Sequence, residues 1–291
     1  MKLKKVAKVL LSCVLAGALF TGCGGGQGGG QGGGEKKDVQ LTEIKLGMIA
    51  HLNATEKKME EILSKVSEES GMQVSRYKTT FYDSLKTLNM GIESGSVDEA
   101  SVYKCVADYV IAVNPKFELA KADQVKGLAD SFCFAVRKDD TQLKADLDKV
   151  IDEMKADGSL DKLINDYITN VDKLNPPKIE IPITDGADTI KVGITGDLPP
   201  LDYVTPDNTP AGFNTAFLAE VAKRLGKNIE VIDIDSGARA TALASKKIDI
   251  IFWAIVPIDK KVPADIDKPE GVELSKPYFK DEVEHIKIKK E

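Results

Sequence analysis

Residues 189–253 read TIKVGITGDLPPLDYVTPDNTPAGFNTAFLAEVAKRLGKNIEVIDIDSGARATALASKKIDIIFW. Ile190 to Ile194 form a short apolar strand. Gly196-Asp197-Leu198-Pro199-Pro200 then forces a turn, because each proline fixes φ and removes a donor. Asp207-Asn208-Thr209-Pro210 marks a second turn, and Gly212 precedes a helix. In that helix Phe217, Leu218, Val221, Ala222 and Leu225 fall at helical spacing, and Gly226 ends it. Ile229 to Ile234 alternates as a strand, Ala238 to Lys246 is a second helix, and Ile248 to Trp253 is a buried strand. This order predicts an α/β unit with a parallel sheet covered by helices. Ligands of such sheets sit beyond the carboxyl ends of the strands. That edge carries the Asp197–Tyr203 turn, the Ser236–Arg239 turn and the segment after Trp253.

The amino end reads as an address. Lys2, Lys4, Lys5 and Lys8 precede a short apolar run, Val9 to Phe20, which is too short to span a bilayer comfortably. Leu19-Phe20-Thr21-Gly22-Cys23 follows and resembles a bacterial lipoprotein cleavage box, with Cys23 as the lipidated first residue. Gly24 to Gly34, broken only by Gln27 and Gln31, suits a flexible tether. The rest of the 291 residues allows one large domain or two lobes. A formal net charge of −6 with 30% charged residues argues against nucleic acid, which needs a clustered basic face. Of the 4 cysteines, Cys105 and Cys133 remain beyond the address, as a disulfide or as buried thiols.

The 189–253 stretch is similar to the opening of bacterial extracellular solute-binding proteins, family 3, the amino-acid-type receptors of ABC transporters with the type II periplasmic-binding-protein fold. Pro199-Pro200 with Tyr203 matches the loop whose aromatic residue packs on ligand. Gly212-Phe213-Asn214 matches a Gly-Phe-Asp signature, and Leu274 to Phe279 matches the segment before the crossing to the other lobe, with His285 to Lys289 as the crossing strand. Residues 44–112 resemble the family's second lobe. The strand Ile44 to Ile49, a helix capped by Thr55 or Asn53, and Ser94-Gly95-Ser96-Val97-Asp98 carry that likeness. Residues 132–168 resemble the family's C-terminal ending, with Leu143, Leu147, Ile151 and Met154 as one helical stripe closed by Gly158.

The order is therefore second lobe, family C-terminus, joint, first lobe, as in a circular permutant. The boundaries follow: 1–22 signal peptide, 23–40 lipidated cysteine and tether, 41–130 second lobe, 131–169 return strand and terminal helices, 170–188 proline-rich joint, and 189–291 the main part of the first lobe. The competing layout is a pair of truncated tandem copies.

The resemblance implies a two-lobed α/β fold whose lobes are mostly parallel sheets flanked by helices around a hinge cleft. It implies a small polar solute, amino-acid-like or an organic anion, captured by hinge closure. It also implies delivery to an ABC permease by a monomer held outside the cytoplasm by a lipid anchor. In the family an Arg in a Thr-x-x-Arg motif clamps the α-carboxylate and an Asp takes the ammonium. Here Ile258 stands at the Thr position, Lys261 at the Arg position and Tyr103 at the Asp position. Lys supplies charge without a planar fork.

Arg239, at a helix start among small neighbours, is the replacement anion anchor. The remaining ligand candidates are Asp197, Tyr203, Trp253, Ser101 and Asn53, with weaker claims for His51 and Lys104, while Asn214 is read as holding its loop. No cofactor and no metal are expected. With 2 histidines and no nucleophile motif, enzyme chemistry is disfavoured. A sensor module and a same-fold dehydratase are the alternatives.

Overall fold

The computed structural model describes residues 43–69, 76–121, 128–205, 209–260 and 262–290. Cys23, the signal, the tether and Lys261 lie outside them.

The chain first builds β1 (Glu43–Ile49), α1 (Glu56–Glu69), β2 (Arg76–Tyr82), α2 (Leu85–Glu93), β3 (Glu99–Tyr103), α3 (Lys104–Val113) and β4 (Phe117–Leu119). Local chemistry sets the helix starts. The Thr55 hydroxyl accepts from the Lys58 amide at 3.3 Å, and the Ser84 hydroxyl accepts from the Thr87 amide at 3.2 Å. β2, β1 and β3 pair in parallel. Leu46 and Met48 pack with Leu63 and Tyr77 on one side of this sheet, while Leu88, Ile92, Val106 and Val110 close another layer.

β5 (Ala129–Arg137) then carries the chain out of this early lobe. α4 (Thr141–Ala156) and α5 (Ser159–Ile164) follow, and Gly158 between them has φ 76°, the left-handed conformation that suits glycine. On α4 Leu147, Ile151 and Met154 of the expected stripe are fully buried together with Val150, while Leu143 at its start is half-buried. Residues 170–188 run with no regular element, exposing Leu174 and Ile183, and the Tyr109 hydroxyl of α3 holds them by donating to the Lys173 carbonyl at 3.2 Å.

The late lobe contains β6 (Thr189–Ile194), β7 (Asp197–Leu198), β8 (Asp202–Val204), β9 (Pro210–Ala211), α6 (Phe213–Leu225), β10 (Asn228–Asp233), α7 (Arg239–Ala244), β11 (Ile250–Pro257) and β12 (Val272–Leu274). β10, β6 and β11 are parallel neighbours, which is the parallel unit expected from residues 189–253. β5 lies antiparallel against β11, and β12 against β5. An aromatic cluster joins the two sequence segments: Phe134 of β5 meets Phe217 and Phe252 with centroids at 5.4 and 4.6 Å, and Tyr278 at 4.9 Å.

The last strand, β13 (Phe279–Ile288), serves both lobes. Phe279 to Glu282 pair with β5, Val283 to Ile286 pair with β3, and Ile286 to Ile288 pair with β4. The crossing strand thus starts at Phe279, ahead of the His285 expected from alternation, because its first half, half-buried or exposed, pairs with β5. The full path is β10-β6-β11-β5-β13-β3-β1-β2, and β5 with β13 forms the waist.

Candidate functional site

The three turns placed at the carboxyl edge of the late sheet all meet the early lobe. Asp197 Oδ2 accepts from the Lys86 amide at the start of α2, at 3.0 Å. The Ser236 amide donates to the Asp83 carbonyl at 3.2 Å. Arg239 Nη2 donates to the Ala50 carbonyl at 3.2 Å. In the segment after Trp253, Asp267 Oδ1 accepts from the Asn53 amide at 2.9 Å and lies 3.7 Å from His51 Nδ1. The lobes therefore meet through bonds between loops.

Arg239 is buried, with 1% exposure, and is not the surface arginine that its neighbours Asp233 and Asp235 would allow. Its Nε donates to the Ser236 carbonyl at 3.1 Å and its Nη1 to the Phe252 and Trp253 carbonyls, both at 3.4 Å. The guanidinium carbon stands 5.3 Å from the Trp253 ring centroid, a cation–π distance. Burial pulls the guanidinium below its ordinary value, and the fields of Asp267 and Asp202 oppose that pull. All four bonds end on carbonyls, so a buried positive charge is held in place by dipoles.

Trp253 is buried at 9% exposure, as expected, but it does not end its strand. Strand β11 runs past it to Pro257, and the pairing with β5 slips between Ile251 and Ala254. Trp253 has φ 66°, a conformation that bulky residues avoid, and its amide donates to the Tyr278 hydroxyl at 3.3 Å. This bulge re-aims the indole from the strand face towards the waist. There it meets Tyr103 edge-on at 5.6 Å and Phe132 at 6.0 Å.

A cavity of about 100 Å³ lies between the lobes. Trp253 and Ile255 line it from the late lobe, Met48 and Ser101 from the early lobe, and Asp130 and His285 from the waist. Tyr103 also lines it, and its hydroxyl donates to Asp130 Oδ2 at 2.6 Å. Burial pushes the Asp130 carboxyl up, against the Tyr103 bond and the nearby His51. Burial also raises Asp267, but His51, the Asn53 amide and Arg239 outweigh it, so that carboxyl lies below its usual range.

Of the residues singled out in the sequence, Trp253, Tyr103, Ser101 and His51 come together on this cavity, and Arg239 stacks beside Trp253. Asn53 instead holds the segment before β12, through its amide on Asp267. Asp197 and Tyr203 lie at a separate face. Asp197 borders a groove with Lys86 and Pro199, and the Tyr203 ring stands 6.3 Å from Tyr109. Lys104 pairs with Asp108 on the exposed surface of α3. Asn214 holds its loop by donating to Asp202 Oδ2 at 2.8 Å. Asp202 also accepts from the Thr195 hydroxyl and the Gly196 amide, and burial still pushes its carboxyl up. Cys105 and Cys133 are free buried thiols.

Three residues that the sequence did not single out are central. Asp130 and Asp267 lacked any motif. His285 is fully buried and lies 3.0 Å from Glu99, a partner 186 residues away in sequence, so no local pattern could have revealed the pair. Among the described residues no cluster of three or more His, Cys, Asp or Glu could hold a metal ion, and no helix is long and apolar enough to cross a membrane.

Residues 190–289 match the family model of bacterial extracellular solute-binding proteins, family 3. The chain is similar to the arginine-binding extracellular protein ArtP of Bacillus subtilis (strain 168), 32% identical over 76 residues that cover 26% of this chain and 29% of the relative. It is also similar to a protein of Campylobacter jejuni named "Probable histidine-binding protein", 29% identical over 101 residues covering 35% of this chain and 36% of that one. The matches thus span about a third of each curated relative's length. Among solved structures it is similar to the ligand binding component of an ABC-type import system from Staphylococcus aureus with zinc bound. That likeness has a TM-score of 0.43 at 11% identity and covers 85% of this chain and 66% of that one.

Proposed function

With the match of residues 190–289 to solute-binding family 3 as the premise, we propose that this chain is the lipid-anchored, extracytoplasmic solute receptor of an ABC importer. It captures a small solute by hinge closure and works as a monomer with a permease. The observation that carries this reading is the waist: β13 pairs with β5 on one side and with β3 and β4 on the other, which joins the strands of both lobes in one 10-stranded sheet, and a cavity lined from both lobes lies against that joint. Two lobes joined by two strands can rotate about them, and cross-lobe bonds such as Arg239 to Ala50 would form on closure.

The order of the segments belongs to the same proposal. The chain is a circular permutant in which 41–130 forms the second lobe and 131–169 completes the first, which 170–188 joins to 189–291. The packing of Phe134 on Phe217 and Phe252, and of Arg224 on Asp157 at 2.8 Å, supports this layout over truncated tandem copies. Cys23 carries the lipid, and Cys23→Ala would move the protein from the membrane fraction to the medium or periplasm.

Trp253 is the 1 tryptophan of the chain and lines the cavity, so its fluorescence reports occupancy. Titration with amino acids, short peptides and organic acids would shift its emission saturably for the true solute. A solute that is chemically converted rather than returned intact would replace the receptor reading with the enzyme one.

A further inference from the structure

The two ends of the early sheet differ in kind. Just past the carboxyl ends of β1 and β2, the Ala50 and Asp83 carbonyls accept bonds from the late lobe. At the other end the register lines up three strands. Ala100 of β3 stands opposite Gly47 of β1 and Ile286 of β13. Four residues before Gly47 is Glu43, where β1 takes up the chain that leads from Cys23, and three residues after Ile286 is Lys289. Two strand spacings separate β1 from β13, so Glu43 and Lys289 lie about 10 Å apart across the same end of the sheet.

That end has a basic corner. Lys116 precedes β4, and Lys289 and Lys290 follow β13. The Lys289 amide donates to the Lys116 carbonyl at 2.9 Å, which gathers the three residues. All three are exposed, and none of their side chains forms an ion pair among the described residues. The neighbouring acids have other partners. Glu118 pairs with Lys287 at 3.5 Å, Glu99 lies 3.0 Å from His285, and Asp98 accepts from the Lys45 amide at 2.9 Å. Glu93 lines a groove with Val113, which ends α3 and is 42% exposed. Glu291 lies outside the described residues. The corner is therefore positive with an apolar flank, on a chain whose formal net charge is −6.

A positive corner on an acidic body has a preferred orientation at an anionic surface. The field of such a surface falls off within a Debye length, about 8 Å at physiological salt. Lysines in contact are attracted, while carboxylates farther away are screened. A tether makes the encounter intramolecular, so a weak attraction is enough. Each lysine near the surface raises the docked population roughly fivefold.

We propose that Lys116, Lys289 and Lys290, beside Val113, form a docking surface for anionic phospholipid headgroups, which turns the Ala50 and Asp83 loops away from the bilayer. The inference rests on the lipid-anchor reading of Cys23 and adds the pose in which the anchored receptor meets solute. The patch and the lobe-to-lobe contacts lie at opposite ends of β1, so a docked lobe keeps the contact edge in solution.

The test uses the full-length lipoprotein reconstituted into vesicles that carry an energy acceptor on their headgroups. A donor dye is placed on Val113→Cys at the basic corner, or on Lys57→Cys, exposed at the start of α1 and the far end of the sheet. Cys105 and Cys133 are buried thiols, so the dye goes to the introduced position. In vesicles with about one third phosphatidylglycerol at low salt, transfer from Val113→Cys should exceed transfer from Lys57→Cys. The difference should vanish at about 0.5 M salt and in neutral phosphatidylcholine vesicles. Each of Lys116→Gln, Lys289→Gln and Lys290→Gln should lower the docked-to-undocked ratio roughly fivefold. These side chains are exposed, so thermal melts of the variants should match wild type.

Equal transfer from the two positions in anionic vesicles, from protein whose mass shows lipid on Cys23, overturns the inference and leaves the anchor and receptor readings intact. A preference for Val113→Cys that survives high salt, neutral lipid or the triple glutamine variant does the same. Absence of lipid on Cys23 overturns the anchor reading and this inference with it.

Discussion

Replacing Asp267 by Asn tests the bond network that closes the lobes. The carboxylate is 4% exposed and joins the segment before β12 to the early lobe, through the Asn53 amide at 2.9 Å and His51 at 3.7 Å. Asn keeps the shape and one acceptor oxygen, so the variant removes charge and little else. A hydrogen bond to a charged group contributes about 1.5–3 kcal/mol and a neutral one about 0.5–1.5, so the expected loss is about 1–2 kcal/mol.

The pH dependence has a definite sign. Burial raises Asp267, but His51, the Asn53 amide and Arg239 together hold it below its ordinary value. A carboxylate lowered on folding adds stability above its unfolded pKa of about 3.9 and loses it as pH falls through the folded value. Urea unfolding of wild type and Asp267→Asn at pH 7 should therefore show the full gap, which should close below about pH 4 as the wild-type carboxylate takes up its proton. A double-mutant cycle with His51→Ala would assign the part that belongs to that pair. Equal urea midpoints at pH 7, or a gap that is constant from pH 7 to pH 3, would refute the reasoning.

Leu147→Ala should cost about 2–5 kcal/mol in urea unfolding, because Leu147 is fully buried where residues 131–169 pack against the late lobe. A loss under 1 kcal/mol would argue against that packing. Gly212→Ala should destabilise by about 2 kcal/mol or more, read as a drop in thermal midpoint. Its φ is 97°, and a Cβ would approach the Leu201 and Pro200 carbonyl oxygens at 2.5 and 2.7 Å. Tyr103→Phe should cost about 1–3 kcal/mol at pH 7 by removing the donor to Asp130, and less at acid pH where that carboxyl, already pushed up by burial, is protonated. The thiols of Cys105 and Cys133 should resist a disulfide reagent until the protein unfolds. Both are buried, and burial pushes the Cys133 thiol up to about 12.

Much of the fold was legible because its signals are local. Gly226 stops α6 in the left-handed conformation, and the Leu147–Ile151–Met154 spacing marks the buried face of α4. Each depends on residues within a turn or two of one another. The site was less legible. Trp253 reads as the end of a strand, but its bulge depends on how β11 sits against β5, and those segments are more than 100 residues apart. Arg239 reads as an anion anchor. Its burial on four carbonyls, one of them Ala50 in the other lobe, required the lobes to be in place. Tyr203 and Asp197 shared the same turn signal, yet lie apart from the cavity because their hairpin packs against α2 and α3.

The sequence by itself determined the strand and helix order, the parallel unit at 189–253 and the likeness to a solute-binding family, since periodicity, caps and turn residues act over short distances. Tertiary structure alone decided that β13 is shared by both lobes, that Asp130, Asp267 and His285 face the interface, and that the cavity between them is mostly apolar. Those properties arise from pairs such as His285 with Glu99 and Asn53 with Asp267, 186 and 214 residues apart. A side chain's electrostatic surroundings depend on what folding brings beside it, and no spacing rule in one chain specifies a neighbour at that distance.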